Sequence, residues 1–516
     1  MTEANEKPRW DFAVLAIIVA GAALRFVALG QQSYWVDETR SVSIALGEYQ
    51  IRWIDTALDI HGPLHMMLLK LWITLVGKAE AATRAMSAIF GALGLVLFYR
   101  VGVPLVGRRA GMIALVFLAT SPFYLWYSQE TRNYALLFDV GLLAIPAFLV
   151  EIERRTRKSF LVALGASVAL CLSNLTGFFL LVLYGFYSLT IGRRTGYPIR
   201  RPIILLLLVA VILSPWILGA TGQLGEPHLG RPDQPAGEGV VLRGESPWGI
   251  LTIPFTFYNF SLGLSMGPSI HELKEYHWEV VVPFLPYLAP AMALFIGAAV
   301  WGLIVRRRPS RSFDILLPWL VIPIALMVIL SLLNLKAPNS RYAILSFAPY
   351  LLLLGAGIVA IKNKFLRWAI MCVLLFYCVH ADYNYFTNPR YWRPDARAVG
   401  RALDQHSRES DALVACGVSE PVEFYAPDHL AIYYRPELGS FFELSAAEQW
   451  LRQTTAGRQR LWYVKINGWW GDPGNRLLRA CQQLMIPRGE WQFEKAPLYL
   501  FEVPAEWQSK DVERAE

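Results

Sequence analysis

Residues 128–159 read SQETRNYALLFDVGLLAIPAFLVEIERRTRKS: six polar positions from Ser128 to Asn133, an apolar run over 134–151, then Arg154, Arg155, Arg157 and Lys158. A run of about 20 apolar residues matches the hydrocarbon thickness of a bilayer. Lipid offers polar groups no hydrogen-bond partner, so residues 128–133 must face water, protein or a polar cavity. Basic clusters mark cytoplasmic loops, which sets the direction of this span. The stretch therefore reads as one crossing of a polytopic α-helical membrane protein.

The rest of the chain repeats the pattern. Eleven apolar runs lie near 11–30, 84–103, 111–128, 134–151, 160–174, 177–192, 202–221, 281–305, 313–333, 342–361 and 365–382. With the N-terminus cytoplasmic, the inside loops hold nineteen Lys and Arg against Glu3, Glu6 and Glu153, as the positive-inside tendency requires. The run after Glu6, Lys7 and Arg9 is too long for a signal-peptide core, so it reads as a retained first helix. Pro63 to Gly77 spoils the alternation if counted as a span, and it reads as a membrane-surface or re-entrant helix.

Composition agrees. Of 516 residues 55% are apolar and only 17% charged, against roughly a quarter charged in soluble proteins. Mean hydropathy is +0.37. Disorder, collagen and coiled coil are excluded. The net charge of +8 is concentrated in the inside loops, which points to the membrane and away from nucleic acid. No P-loop or dinucleotide fingerprint occurs, so no nucleotide cofactor is expected. Cys171, Cys372 and Cys378 lie in apolar runs, where a thiol behaves as a small hydrophobe, while Cys416 and Cys481 could pair in an oxidising compartment.

These readings divide the chain into a transmembrane domain, 1–382, and a C-terminal soluble α/β domain, 383–516. The first carries two large outside loops, 31–83 with surface helices and 222–280. In the second, apolar runs shorten to strand length at Ala412–Ala415, Leu430–Tyr434, Leu461–Ile466 and Leu498–Val503, alternating with helical stretches at Asp395–Gln405 and Ala446–Thr454.

The threading gathers chemistry-bearing residues on the outside. Asp37 and Glu38 follow the first helix, and neighbouring carboxylates raise one pKa, which suits a general base; a solvated loop is the alternative. His61 precedes a Gly62-Pro63 helix start and can bind metal or phosphate, or be structural. Glu130 and Arg132 form either a site or an ion pair. Lys336 and Arg341 run against the positive-inside tendency, as an anion site or by snorkelling. Arg84 and Asp139 sit near outer helix ends, where mutual pairing is as reasonable as chemistry. Carboxylates with cations at a bilayer surface suit an amphiphile with an anionic head.

The ordered set Asp37-Glu38, His61-Gly62-Pro63-Leu64, Glu80 with Arg84, Gly107-Arg108-Arg109-Ala110-Gly111 and Ser128-Gln129-Glu130-Thr131-Arg132-Asn133-Tyr134 resembles bacterial glycosyltransferases of the GT-C superfamily. Within it, the set is similar to relatives of protein O-mannosyltransferases and lipid A aminoarabinose transferases. It covers about residues 11–200 well and the remainder by architecture. The resemblance implies inverting transfer of a sugar from a polyprenyl-phosphate donor to a lipid, glycan or protein hydroxyl, at the periplasmic face of a bacterial inner membrane, with the C-terminal domain periplasmic. It makes Asp37 the base, with Glu38 and Glu130 supporting acceptor or cation. Arg132, Lys336 and Arg341 would stabilise the leaving lipid phosphate. His61, Gln129, Tyr134 and Arg84 would bind substrate. A divalent cation would find candidate ligands in Asp37, Glu130 and His61, although some aminoarabinose transferases carry Glu where His61 stands. Asp139, one position out of register with a further family acid, receives no role. Trp392, Trp469 and Trp470 stack on sugar or pack in the core, and the tail domain would help select the acceptor. A transporter or flippase of a lipid-linked sugar, or a polysaccharide polymerase or ligase, would use similar residues.

Overall fold

The computed structural model describes residues 7–47, 62–225, 252–306, 310–333, 338–417, 419–434, 444–466 and 472–507. His61, Lys336, Trp469 and Trp470 lie outside them. The chain divides into two compact units. One comprises Met1–Leu29, Val42–Gly267 and Pro283–Thr387; the other comprises Gly30–Ser41, Pro268–Val282 and Asn388–Glu516.

The first unit is helical. Among the described residues eight helices are long and apolar enough to cross a membrane, and Arg108–Ala119 with Pro122–Ser128 forms a ninth broken by a 57° bend. Each of the eleven apolar runs coincides with a helix. Phe12–Phe26 and Arg157–Ser173 simply fall short, at 15 and 17 residues. Pro63–Val76, 14 residues, is also too short to span. The bend has a local cause: Ser121 caps the second piece by accepting from the Tyr124 N–H at 3.1 Å, and Pro122 occupies its first turn.

The helix Phe347–Ala360 lies at the centre, with nearly every residue buried. Two glycines bring it against Leu285–Val305. A Cβ on Gly357 would stand 1.8 Å from the Ala298 carbonyl oxygen, and one on Gly302 2.0 Å from that of Leu353. Small residues let backbones approach where lipid supplies no hydrophobic drive. Elsewhere rings fill the gaps, with Phe148 stacked on Tyr184 at 4.0 Å. At the basic-loop end, the buried Glu151 accepts from Arg201 Nε at 2.6 Å and from the Ser159 hydroxyl at 2.5 Å, which ties three segments together.

The second unit contains a five-stranded sheet in the order β2-β1-β3-β5-β4. Its strands are β1 Asp411–Gly417, β2 Ala431–Tyr434, β3 Arg460–Ile466, β4 Ile486–Trp491 and β5 Leu498–Glu502. β2, β1 and β3 run parallel; β5 is antiparallel to β3 and β4 to β5. Successive side chains alternate faces. Ala412, Val414, Cys416, Leu461 and Tyr463 pack under Leu444–Thr454 and Arg476–Leu484, while Leu413, Ala415, Trp462 and Val464 pack under Ala396–His406 and Glu420–Tyr425. None of the five cysteines is in a disulfide, and Cys416 and Cys481 share one core. β4 was not expected: IPRGEW has no alternating apolar pattern because it is an exposed, bulged edge strand.

Candidate functional site

In the helical unit, residues 128–133 are all buried, so the polar hexapeptide is enclosed by protein. Each member has a job that its neighbours explain. Ser128 Oγ donates to the Tyr124 carbonyl at 2.6 Å. Gln129 Nε2 donates to the carbonyls of Arg25 and Val27, at 3.0 and 2.8 Å, and so caps the end of the first helix. Glu130 Oε1 accepts from Trp126 Nε1 at 2.9 Å. The Thr131 and Thr83 hydroxyls bond each other at 3.0 Å. The Arg132 carbonyl accepts from Ser87 Oγ at 3.3 Å, and Asn133 Nδ2 donates to the Ser173 carbonyl at 2.7 Å.

Around this turn stand further groups of the same unit. The Arg341 guanidinium lies 5.6 Å over the Tyr134 ring and 5.4 Å over Tyr342. Tyr134 packs edge-on against Tyr127 at 5.1 Å, and the charges acting on Tyr127 are Glu130 and Arg341. Arg84 Nη1 donates to the Leu29 carbonyl at 2.8 Å. His65 is fully buried, with Arg132 the charge acting on it, and neither ring nitrogen has a hydrogen-bond partner among the described residues. The buried Glu130, Arg132 and Tyr134 and the half-buried Arg341 thus belong to one polar assembly, joined by His65 from the Pro63–Val76 helix.

A second charge cluster escaped the sequence reading. Arg25, inside the first apolar run, is completely buried; it donates to the carbonyls of Gly21 and Leu118, at 2.5 and 3.0 Å, and lies 5.0 Å over the Tyr124 ring. Tyr124, Asp382 and Asp139 are the groups that favour its charge. A lone arginine within an apolar run was the available signal.

Asp37 and Glu38 belong to the other unit, in the first turn of Val36–Leu46, where the helix dipole favours acids. Glu38 is fully buried and accepts from Arg393 Nη1 at 2.5 Å, whereas Asp37 is half-buried. The strip that carries them is held by the same unit. Ser33 Oγ donates to the Pro394 carbonyl at 2.8 Å, and the Tyr425 hydroxyl accepts from the Tyr34 N–H at 2.9 Å. The Gln32 side-chain oxygen accepts from the Arg393 N–H at 3.0 Å, and Arg397 donates to the carbonyls of Gly30 and Gln31, at 3.1 and 2.9 Å. Arg40 pairs with Glu420 at 3.1 Å. Arg393 was not foreseen; its only signal was a cation beside Trp392 and Pro394.

In the same unit Glu272 is caught by Arg390. Partial burial alone would lift its carboxyl, but bonds from the Ser269 N–H and hydroxyl and from Arg390 bring it below the ordinary value. Among the described residues no three His, Cys, Asp or Glu side chains are placed to hold a metal ion.

The family model for dolichyl-phosphate-mannose-protein mannosyltransferases matches residues 60–218. No curated protein matches the sequence. The fold is similar to that of ArnT from Cupriavidus metallidurans bound to undecaprenyl phosphate, at 14% identity and TM-score 0.57, over 94% of this chain and 97% of that one. It is also similar to the Archaeoglobus fulgidus oligosaccharyltransferase in complex with Zn and sulfate, at 12% identity and TM-score 0.52, over 94% and 73%. The archaeal oligosaccharyltransferase AglB of the same organism, in complex with an inhibitory peptide and a dolichol-phosphate, matches at 13% identity and TM-score 0.50, over 96% and 77%. The chain is a multi-pass α-helical membrane protein whose fold is similar to those of these proteins.

Proposed function

We propose that the protein is an inverting glycosyltransferase that moves a sugar from a polyprenyl-phosphate donor to an acceptor hydroxyl at the periplasmic face. The observation that carries this is the assembly of the buried Glu130, Arg132, Tyr127 and Tyr134 with the half-buried Arg341 inside a lipid-facing helical unit. Buried charges in such a unit are functional by default, and the fold is shared with a protein solved with undecaprenyl phosphate.

Asp37 takes the acceptor proton as the acceptor oxygen bonds to the anomeric carbon. The bond from that carbon to the donor phosphate oxygen breaks, and the lipid phosphate leaves with the electron pair. Arg132, Lys336 and Arg341 offset the growing phosphate charge, and Glu130 supports the acceptor. The donor's lipid chain stays in the bilayer, and its phosphate linkage supplies the activation.

Purified protein given a polyprenyl-phosphate sugar and an envelope lipid extract is expected to release polyprenyl phosphate and to raise an acceptor's mass by one sugar. Asp37→Asn should abolish release with folded protein retained. Donor moved across vesicles with its glycosidic bond intact would replace this reading with transport.

A further inference from the structure

We infer that Arg393 of the C-terminal domain is a positioning residue for the Asp37 strip, acting through the buried Glu38 carboxylate; the inference rests on the proposed transferase reading.

The geometry is specific. Glu38 has no exposed side-chain surface and Arg393 only 7%. Their oxygen and nitrogen stand 2.5 Å apart, and the guanidinium also lies 5.6 Å over the Trp35 ring. Burying a carboxylate is tolerable only when it is paired and hydrogen-bonded. Arg393 is in turn fixed from both sides, because its own N–H donates to Gln32 and the next residue's carbonyl accepts from Ser33. Tyr34 packs edge-on against Phe424 at 5.5 Å and stacks with Tyr425 at 6.3 Å. The strip is thus attached at Gly30, Gln31, Gln32, Ser33, Tyr34, Glu38 and Arg40 by residues between 393 and 425. That is far more than a connection needs. It fixes the helix start on which Asp37 sits, and a base must hold its position to well under an ångström.

The pair also has an electrostatic consequence. Charged groups on the elements packed here include Asp37 and Arg40 from the strip, Arg393, Asp395 and Arg397 from the first segment of the domain, and Glu420 and Glu423 from Glu420–Tyr425. Arg40 is engaged by Glu420, and Arg393 is a cation bonded to Glu38. An ionised Glu38 without it would repel charge on its neighbour Asp37 and make that base harder to deprotonate. The domain then serves transfer itself, whichever acceptor is used.

The test uses the full chain in lipid nanodiscs, with Arg393→Gln, Arg393→Lys, Tyr425→Phe and the double variant Glu38→Gln/Arg393→Gln. Arg393→Gln is expected to lower kcat on the order of tenfold or more with little change in donor KM. The acid limb of its pH–activity profile should move to higher pH, by about half to one unit. Arg393→Lys should recover most of the rate, and the double variant should return the limb to its wild-type position. Amide exchange over residues 30–46 should quicken in Arg393→Gln and in Tyr425→Phe. Unchanged exchange in both, or a wild-type rate and limb in Arg393→Gln, overturns the inference. A wild-type chain that releases no polyprenyl phosphate, with exchange quickened in the variants, overturns the transferase reading and leaves the clamp standing.

Discussion

Gln129 donates its side-chain amide to two main-chain oxygens of the first helix end, those of Arg25 and Val27. This polar residue of the 128–133 turn therefore holds one helix to another. Gln129→Leu strands both carbonyls and should lower stability by about 2 kcal/mol, read as an earlier thermal transition in detergent. Loss of transfer at unchanged stability would instead give Gln129 a role on substrate.

Arg25 is a cation inside the helical unit, bonded to carbonyls and flanked by Asp139 and Asp382. Arg25→Met strands the carbonyls it serves and removes the nearby cation from both acids, and should lower stability by about 2 kcal/mol. Adding Asp139→Asn and Asp382→Asn should recover part of the loss. Equal instability of the single and triple variants would show that only the carbonyl bonds matter.

Gly357 and Gly297 make a matched pair. The first meets the Ala298 carbonyl at once, while a Cβ on the second touches nothing within 4 Å. Gly357→Ala should destabilise by roughly 3 kcal/mol, and Gly297→Ala should be neutral or slightly stabilising. Detergent melting curves separate them.

Arg341 rests over two tyrosines of the turn assembly. Arg341→Ala should lower kcat/KM for the polyprenyl-phosphate donor on the order of 10²-fold, with Arg341→Lys intermediate. An undiminished value would remove Arg341 from phosphate stabilisation.

Glu272 is held below its ordinary pKa by Ser269 and Arg390 against the effect of partial burial. A depressed carboxyl contributes stability that is full above its unfolded value and disappears as pH falls through the folded one. At this partial exposure the amount is ~0.5–1 kcal/mol. Acidification from pH 6 towards pH 3 should therefore destabilise the wild type more than Glu272→Gln, by melting temperature at each pH.

The long helices were legible because each is an apolar run of bilayer length, and length and composition are all that a span requires. The 57° bend between Arg108–Ala119 and Pro122–Ser128 was not, since Thr120-Ser121-Pro122 is a short polar break that leaves the summed hydropathy intact. The turn from Ser128 to Asn133 could be picked out by its polarity inside apolar surroundings, and it is buried. The division of the second unit could not, because it depends on contacts such as Tyr34 with Tyr425, whose residues no periodicity relates. Arg393 was hidden for that reason, and Arg25 because its neighbours dominate any average over the run. β4 lacks the short apolar run by which its four sheet partners were found.

The strip from Gly30 to Ser41 and its anchors are far apart in time as well as in sequence. Tyr34 leaves the ribosome 391 residues before Tyr425, a delay of roughly 20 to 80 s at ordinary synthesis rates. During that interval the strip lacks its anchors between residues 393 and 425, and every later helix must be inserted before they arrive. The protein is completed from its last quarter backwards, so a chain stopped at residue 382 would lose the support of its own Asp37 segment, and such a truncation reports on assembly before it reports on acceptor choice.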